Sequence, residues 1–187
     1  MRHATPALFA LLLSACATQT PQAPRPADSA ERPGRPYIAA ASPAAATEAA
    51  LYALGLIDRN YRYGGRNPDS GLDCSGMVSH IYEAVAGLRL PHNAAQIAES
   101  TRPVEKSALQ PGDLVFFNTQ HRPYSHVGLY LGEGRFVHAP SSAGRYVRIE
   151  SMHKPYFAAR FDGARTLVPP ADRPYAAADQ APPQGRN

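Results

Sequence analysis

Apolar positions along the chain follow two periods in succession. Met77, Val78, Ile81, Tyr82 and Val85 recur at helical spacing until Gly87 ends the pattern, and the turn residues of "NPDSG" precede them. This predicts a helix starting at Cys74. Further upstream, Ser42 followed by Pro43 has the chemistry of an N-cap and a first helical position, so another helix begins there. Downstream the period becomes two: Asp113–Asn118, His126–Leu131, Arg135–Ala139, Tyr146–Glu150 and about Ala158–Leu167 read as strands, with "HKPYF" ambiguous. Helices first and strands afterwards predict an α+β class, with N-terminal helices packed on one face of a central antiparallel β-sheet.

The run "YSHVGLYLGEGRFVHAP", Tyr124 to Pro140, reads as a β-hairpin around "GEG". Side chains alternate faces, so loop length decides which residues share a side. A three-residue loop Gly132–Glu133–Gly134, with Gly134 in the left-handed position, sets Leu131 opposite Arg135 and Gly128 opposite His138. His126 and His138 then share a face as diagonal neighbours, with Val127, Leu129 and Leu131 filling the core face behind. Loops of two or four residues would separate the histidines.

Composition limits the folded region. Of 19 prolines, five lie between Ala17 and Pro36 and five between Pro169 and Asn187, in flanks with few large apolar groups. Such segments bury too little surface to offset the entropy of ordering. The expected organisation is a leader over 1–15, a Pro/Ala-rich disordered tether over 16–43, a domain over 44–168 and a disordered tail over 169–187. The net charge of +4 suits an anionic partner such as a wall polymer or lipid headgroups. No Lys/Arg run interleaved with aromatics supports nucleic acid as a partner.

The leader "MRHATPALFALLLSAC" has Arg2 and His3 in front, an apolar run and then small residues. It reads as a secretory signal, too short to span a membrane. Its ending, Leu13 to Cys16, resembles a bacterial lipobox, which implies lipidation of Cys16 and attachment to a membrane. Ala17, standing where Asp would favour the inner membrane, implies an outer-membrane anchor facing the periplasm.

Cys74 is the other of two cysteines, so lipidation of Cys16 leaves it unpaired in an oxidising compartment. At a helix N-terminus, free backbone N–H groups and the helix dipole favour the thiolate, and the N–H groups of Cys74 and Ser75 can donate to an oxyanion. A small buried free cysteine is the bland alternative. Together, Cys74, His126 and His138 form a nucleophile, a base and a group orienting that base. The same three residues also make a plausible zinc set with one open position. His80, His92, His121 and His153 read as surface residues.

Six segments then match a known family in its order: "YRYGG" from Tyr61, "GLDCSGMV" from Gly71, "LPHNAAQ" from Leu90, "LQPGDLVFF" from Leu109, "SHVGLYLG" from Ser125 and "RFVHAPSS" from Arg135. Over about Ala46 to Leu167 the chain resembles the NlpC-type cell-wall peptidases, papain-like cysteine endopeptidases of peptidoglycan. The resemblance implies Cys74 as nucleophile, His126 as base, His138 as third polar residue and no cofactor. It also implies a hydroxyl near the nucleophile from Tyr61, with a packed turn aromatic as the alternative. Asp73 and Ser75 match groove positions, although Asp73 serves equally as a helix N-cap and the Ser75 side chain as a structural group. His92 and Asn93 stand where many members have Arg and Thr or Ser, and Asn60 where Pro is common, so the substrate subsite departs from the pattern. The implied activity is hydrolysis of a stem-peptide bond (γ-D-glutamyl–diaminopimelate) or of a D,D cross-bridge. A wall-binding lipoprotein without activity is the rival.

Overall fold

The computed structural model describes residues 37–38, 41–141 and 146–173. Cys16, the leader, most of the expected tether and everything beyond Arg173 lie outside the described residues. The helices are α1 (Pro43–Leu54), α2 (Cys74–Ala86), α3 (Ala94–Ser100) and the single turn α4 (Pro155–Ala158). The strands are β1 (Arg66–Asn67), β2 (Gly71–Leu72), β3 (Arg102–Val104), β4 (Leu114–Phe117), β5 (His126–Gly132), β6 (Arg135–His138), β7 (Arg148–Ser151) and β8 (Phe161–Thr166). Strands β3 to β8 form one antiparallel sheet in the order β3-β8-β4-β5-β6-β7, while β1 and β2 pair separately.

Local chemistry sets the helix ends. The Ser42 side chain accepts from the Ala45 N–H at 3.1 Å and Pro43 opens α1, whose buried face is alanine only (Ala46, Ala49, Ala50 and Ala53). Small side chains let α1 lie close to α2. Asp73 caps α2, and Gly87 closes it in the left-handed conformation at φ 64°.

The sheet is covered on both faces. Leu114, Phe116, Val127, Leu129 and Val137 join Met77, Val78, Ile81 and Tyr82 of α2 and the α1 alanines in one core. On the other face Val115, Phe117, Tyr130 and Phe136 meet Met152 and Phe157, so α4, in the stretch whose pattern was ambiguous, packs opposite the larger helices.

The hairpin reaches the expected register by another route. Its loop has two residues, Glu133 and Gly134 at φ 52° and 69°, and Gly132 pairs with Arg135. Two positive φ values in a two-residue loop make the hairpin turn that matches strand twist. That loop alone would separate the histidines. An irregularity between Tyr130 and Gly132 leaves Leu131 as the extra residue, restoring Leu129 opposite Val137.

Two boundaries move outward. The Ile38 N–H bonds the Ser100 carbonyl at 2.8 Å and the Ala41 N–H bonds that of Leu167 at 3.1 Å, so part of the expected tether is docked on the domain. At the other end Arg173, expected in the tail, is buried against Asp113.

Candidate active site

Asp73 fixes the start of α2 and ties it to the preceding loop. Its Oδ1 accepts from the Gly76 N–H at 2.6 Å and from the Ser75 hydroxyl at 3.0 Å, and its Oδ2 accepts from the Gly64 N–H at 2.9 Å. The carboxylate is therefore a cap and a loop anchor, and the Ser75 side chain is structural. Gly76 is required by close approach: a Cβ there would stand 1.9 Å from the Gly65 carbonyl oxygen. It is packed against the "YRYGG" loop. Tyr61 in that loop is half-buried against the helical core and bridges to Leu72, two residues before Cys74.

The Cys74 sulfur meets backbone N–H groups of Val127, Ser75 and Cys74 itself. Val127 had no place in the sequence reading, because only tertiary structure brings β5 to the start of α2. Val127 pairs with Phe116 of β4 on one side, while on the other β6 ends at His138, one residue short of the position opposite Val127. The sulfur thus meets the sheet at its open end.

His126, next to Val127, is the first residue of β5. Its Nε2 lies 2.7 Å from Nδ1 of His138, with the rings perpendicular at 90°. The two imidazoles therefore share a side, as the hairpin argument requires. That side is the aromatic face: Phe136 and Phe157 lie 5.1 and 5.5 Å from the His138 ring. Among the described residues His138 Nε2 is buried without a hydrogen-bond partner. If His126 accepts a proton at Nδ1, its Nε2–H donates to His138 Nδ1, and His138 carries its own proton on the orphaned Nε2. The apolar surround keeps that ring neutral.

Burial decides the charges. It pushes the Cys74 thiol up from 9.0 to about 11, and the three N–H groups recover only part of this; the Asp73 carboxylate adds to the rise. Burial pulls His126 down from 6.5 to about 4, against a smaller upward pull from Asp73. It also pulls His138 down, aided by His126, Arg148 and Lys154. Against the thiolate that the helix end favours, burial therefore favours the neutral thiol at Cys74 and the neutral form of both rings. Cys74 is nonetheless only half-buried, which leaves a window for substrate.

These shifts predict an acid-labile fold. The unfolded chain protonates His126 near 6.5 and the folded chain only near 4, so the unfolded state binds more protons and stability falls as pH drops through that window. His126 alone accounts for on the order of 3 kcal/mol. Cys74 acts at the other end: it holds its proton longer when folded, so stability falls again between 9.0 and about 11. Urea midpoints measured at pH 7.5, 5.5 and 4.5 should decrease in that order, and equal midpoints would contradict buried neutral rings.

His92 is exposed beside the cap of α3, its pKa lowered by partial burial and by Arg66, with Asp73 and Glu83 opposing. His121 and His153 are exposed. His80, expected at the surface, is half-buried and lies 3.1 Å from the Tyr52 hydroxyl. Among the described residues no three His, Cys, Asp or Glu side chains form a metal-holding group.

Residues 58–166, more than half of the chain, match the NlpC/P60 family. The chain belongs to that family. It is 38% identical over 117 residues to the murein DD-endopeptidase MepH of Escherichia coli K12, covering 61% of this chain and 43% of that protein. It is 35% identical over 118 residues to the gamma-DL-glutamyl hydrolase of Bacillus subtilis 168, covering 61% and 28%. The chain thus spans less than half the length of these relatives. A crystal structure of an NlpC/P60 family protein from Bacillus cereus ATCC 10987 superposes with a TM-score of 0.61 at 30% identity, covering 70% of this chain and 42% of that one. This likeness agrees with the papain-like α+β fold that the NlpC/P60 resemblance implied.

Proposed function

We propose that the protein is a peptidoglycan endopeptidase, a cysteine hydrolase with Cys74 as nucleophile, His126 as base and His138 as the residue that orients it. The observation that carries this reading is the convergence of a solvent-reachable thiol, three backbone N–H groups and a hydrogen-bonded imidazole pair at one end of the sheet. A neutral pair implies concerted chemistry. As Cys74 Sγ bonds to the scissile carbonyl carbon, its proton passes to His126, and N–H groups of Cys74 and Ser75, with Tyr61, receive the oxyanion. The imidazolium, a strong acid in its buried setting, returns the proton to the leaving amine as the C–N bond breaks. A thioester remains, which water cleaves with His126 again taking a proton.

In this reading the substrate is a peptidoglycan stem peptide, cut either at a D,D cross-bridge or at a γ-D-glutamyl bond. MepH is named for the first type and the Bacillus subtilis hydrolase for a γ-glutamyl bond. Lipid on Cys16 would hold the domain to the outer membrane, facing the periplasm, with peptidoglycan within reach of the tether. Digesting defined muropeptides with the purified protein and weighing the products by mass spectrometry tests the activity. Cleavage at neither bond type under reducing conditions would leave only a wall-binding lipoprotein.

The role given to His138 makes a separate prediction. His138→Asn keeps a polar acceptor beside His126 and is expected to retain more activity than His138→Phe. The latter should lower kcat about 10- to 100-fold, the usual cost of losing a group that orients a catalytic one, with KM little changed. Equal rates for the two variants would remove His138 from the mechanism.

A further inference from the structure

A groove of about 610 Å³ opens on the helical side of the domain, separate from Cys74. It lies between the C-terminal half of α1, the outer side of α2 and strand β1, and its walls include Leu51, Tyr52, Arg59, Arg66 and His80. Three features mark it as more than a crease. First, Leu51 and Tyr52 are exposed apolar groups, at 64% and 38%, and the Tyr52 ring meets His80 at 5.8 Å. Second, it carries excess positive charge. Arg59 is paired only loosely with Asp69, at 3.6 Å with both side chains well exposed, and Arg66 has no ion-pair partner among the described residues. Exposed pairs of this kind exchange readily for another carboxylate. Third, one wall of the groove, β1, is paired to the strand that leads into the nucleophile. Arg66 pairs across β1–β2 with Leu72, two residues before Cys74, and its charge is felt by His92, which also senses Asp73. Six residues of α2 separate Cys74 from His80, a rise of about 9 Å along the helix axis.

We propose that this groove is a second substrate subsite, in which Arg59 and Arg66 hold carboxylates of a stem peptide away from the scissile bond while Tyr52 and Leu51 support its apolar parts. The inference rests on the endopeptidase reading and deepens it. A cross-linked stem, long enough to fill both places and bearing several carboxylates, is held at two points. A short monomeric stem is held at one.

The test uses the full chain carrying Cys74→Ala, so that binding is measured without turnover. Its probes are a purified cross-linked muropeptide dimer, the same dimer with its carboxylates amidated, and a disaccharide tripeptide monomer. Adding Arg59→Gln and Arg66→Gln together should weaken the dimer about tenfold at low salt and the monomer less than about twofold. Amidation should cause a similar loss that the two substitutions do not deepen. Arg135→Gln, on the hairpin turn, is the charge control and should change nothing. Both arginines of the groove are exposed, so the melting temperature should not move. Unchanged dimer affinity in the double variant, or an equal loss from Arg135→Gln, overturns the subsite; if the wild-type chain still cleaves the dimer, the endopeptidase reading survives. Absence of both binding and cleavage overturns the two together.

Discussion

Cys74→Ala is expected to lower amide hydrolysis by about 10⁴-fold or more, the scale on which covalent hydrolases lose turnover without their nucleophile, while leaving the fold intact. Cys74→Ser should be nearly as inactive, because with a neutral imidazole as base a hydroxyl is a weaker nucleophile than a thiol. The state of the resting sulfur sharpens the test. A helix N-terminus stabilises an adjacent negative charge by about 0.3–2 kcal/mol, whereas removing a charged group from water costs several kcal/mol after relaxation. Burial therefore outweighs the helix end and holds the thiol near 11. A Cys74–His126 ion pair in contact would regain roughly 4 kcal/mol at an effective dielectric of about 20, equivalent to about three pKa units. The proton affinities of the two groups, about 11 and about 4, stand further apart than that. Thiolate absorbance at 240 nm should thus be absent at neutral pH and rise only above pH 9, with kcat/KM flat from about pH 6 to 9. A thiolate signal at pH 7 that disappears in Cys74→Ala would show that the pair is charged at rest and that the concerted step is wrong.

The same comparison shows what a sequence can and cannot carry. The start of α1 at Pro43 and of α2 at Cys74 was legible because capping is local: Ser42 and Asp73 each bond a backbone N–H three residues away. The shared face of His126 and His138 was legible because alternation fixes it once register is known. The loop was not, since a bulge at Leu131 compensates a two-residue turn and nothing in "LGEGR" separates that solution from a plain three-residue loop. Helix α3 escaped notice because seven residues give too little periodicity, although its cap, Asn93, was singled out for another reason. The helix end that favours a thiolate at Cys74 is local and so legible, whereas the burial that raises its pKa is not. The N–H of Val127 was invisible for the same reason, lying 53 residues from the sulfur along the chain.

Arg173→Ala is expected to destabilise the domain by about 3–5 kcal/mol, the cost of breaking a buried ion pair from one side. Composition placed this arginine in a tail, yet its guanidinium spans Asp113 with Nη1 to Oδ1 at 2.7 Å and Nη2 to Oδ2 at 2.8 Å. It also donates to Thr166 Oγ1 at 2.6 Å and to the Ala108 carbonyl at 2.7 Å. Asp113 is 1% exposed, and among the described residues its carboxylate takes, besides the arginine, only the Gln110 N–H, at 2.8 Å. Removing the guanidinium strands a negative charge at the head of β4, the strand that aligns Phe117 with His126. Melting should fall by about 10–20 °C for a domain of this size, and ending the chain at Val168 should have a similar effect. Arg173→Met combined with Asp113→Asn should recover part of the loss, because the orphaned charge is then gone. A chain ending at Val168 that melts with the full-length protein would show that the clasp contributes nothing and that the domain does end where proline content suggests.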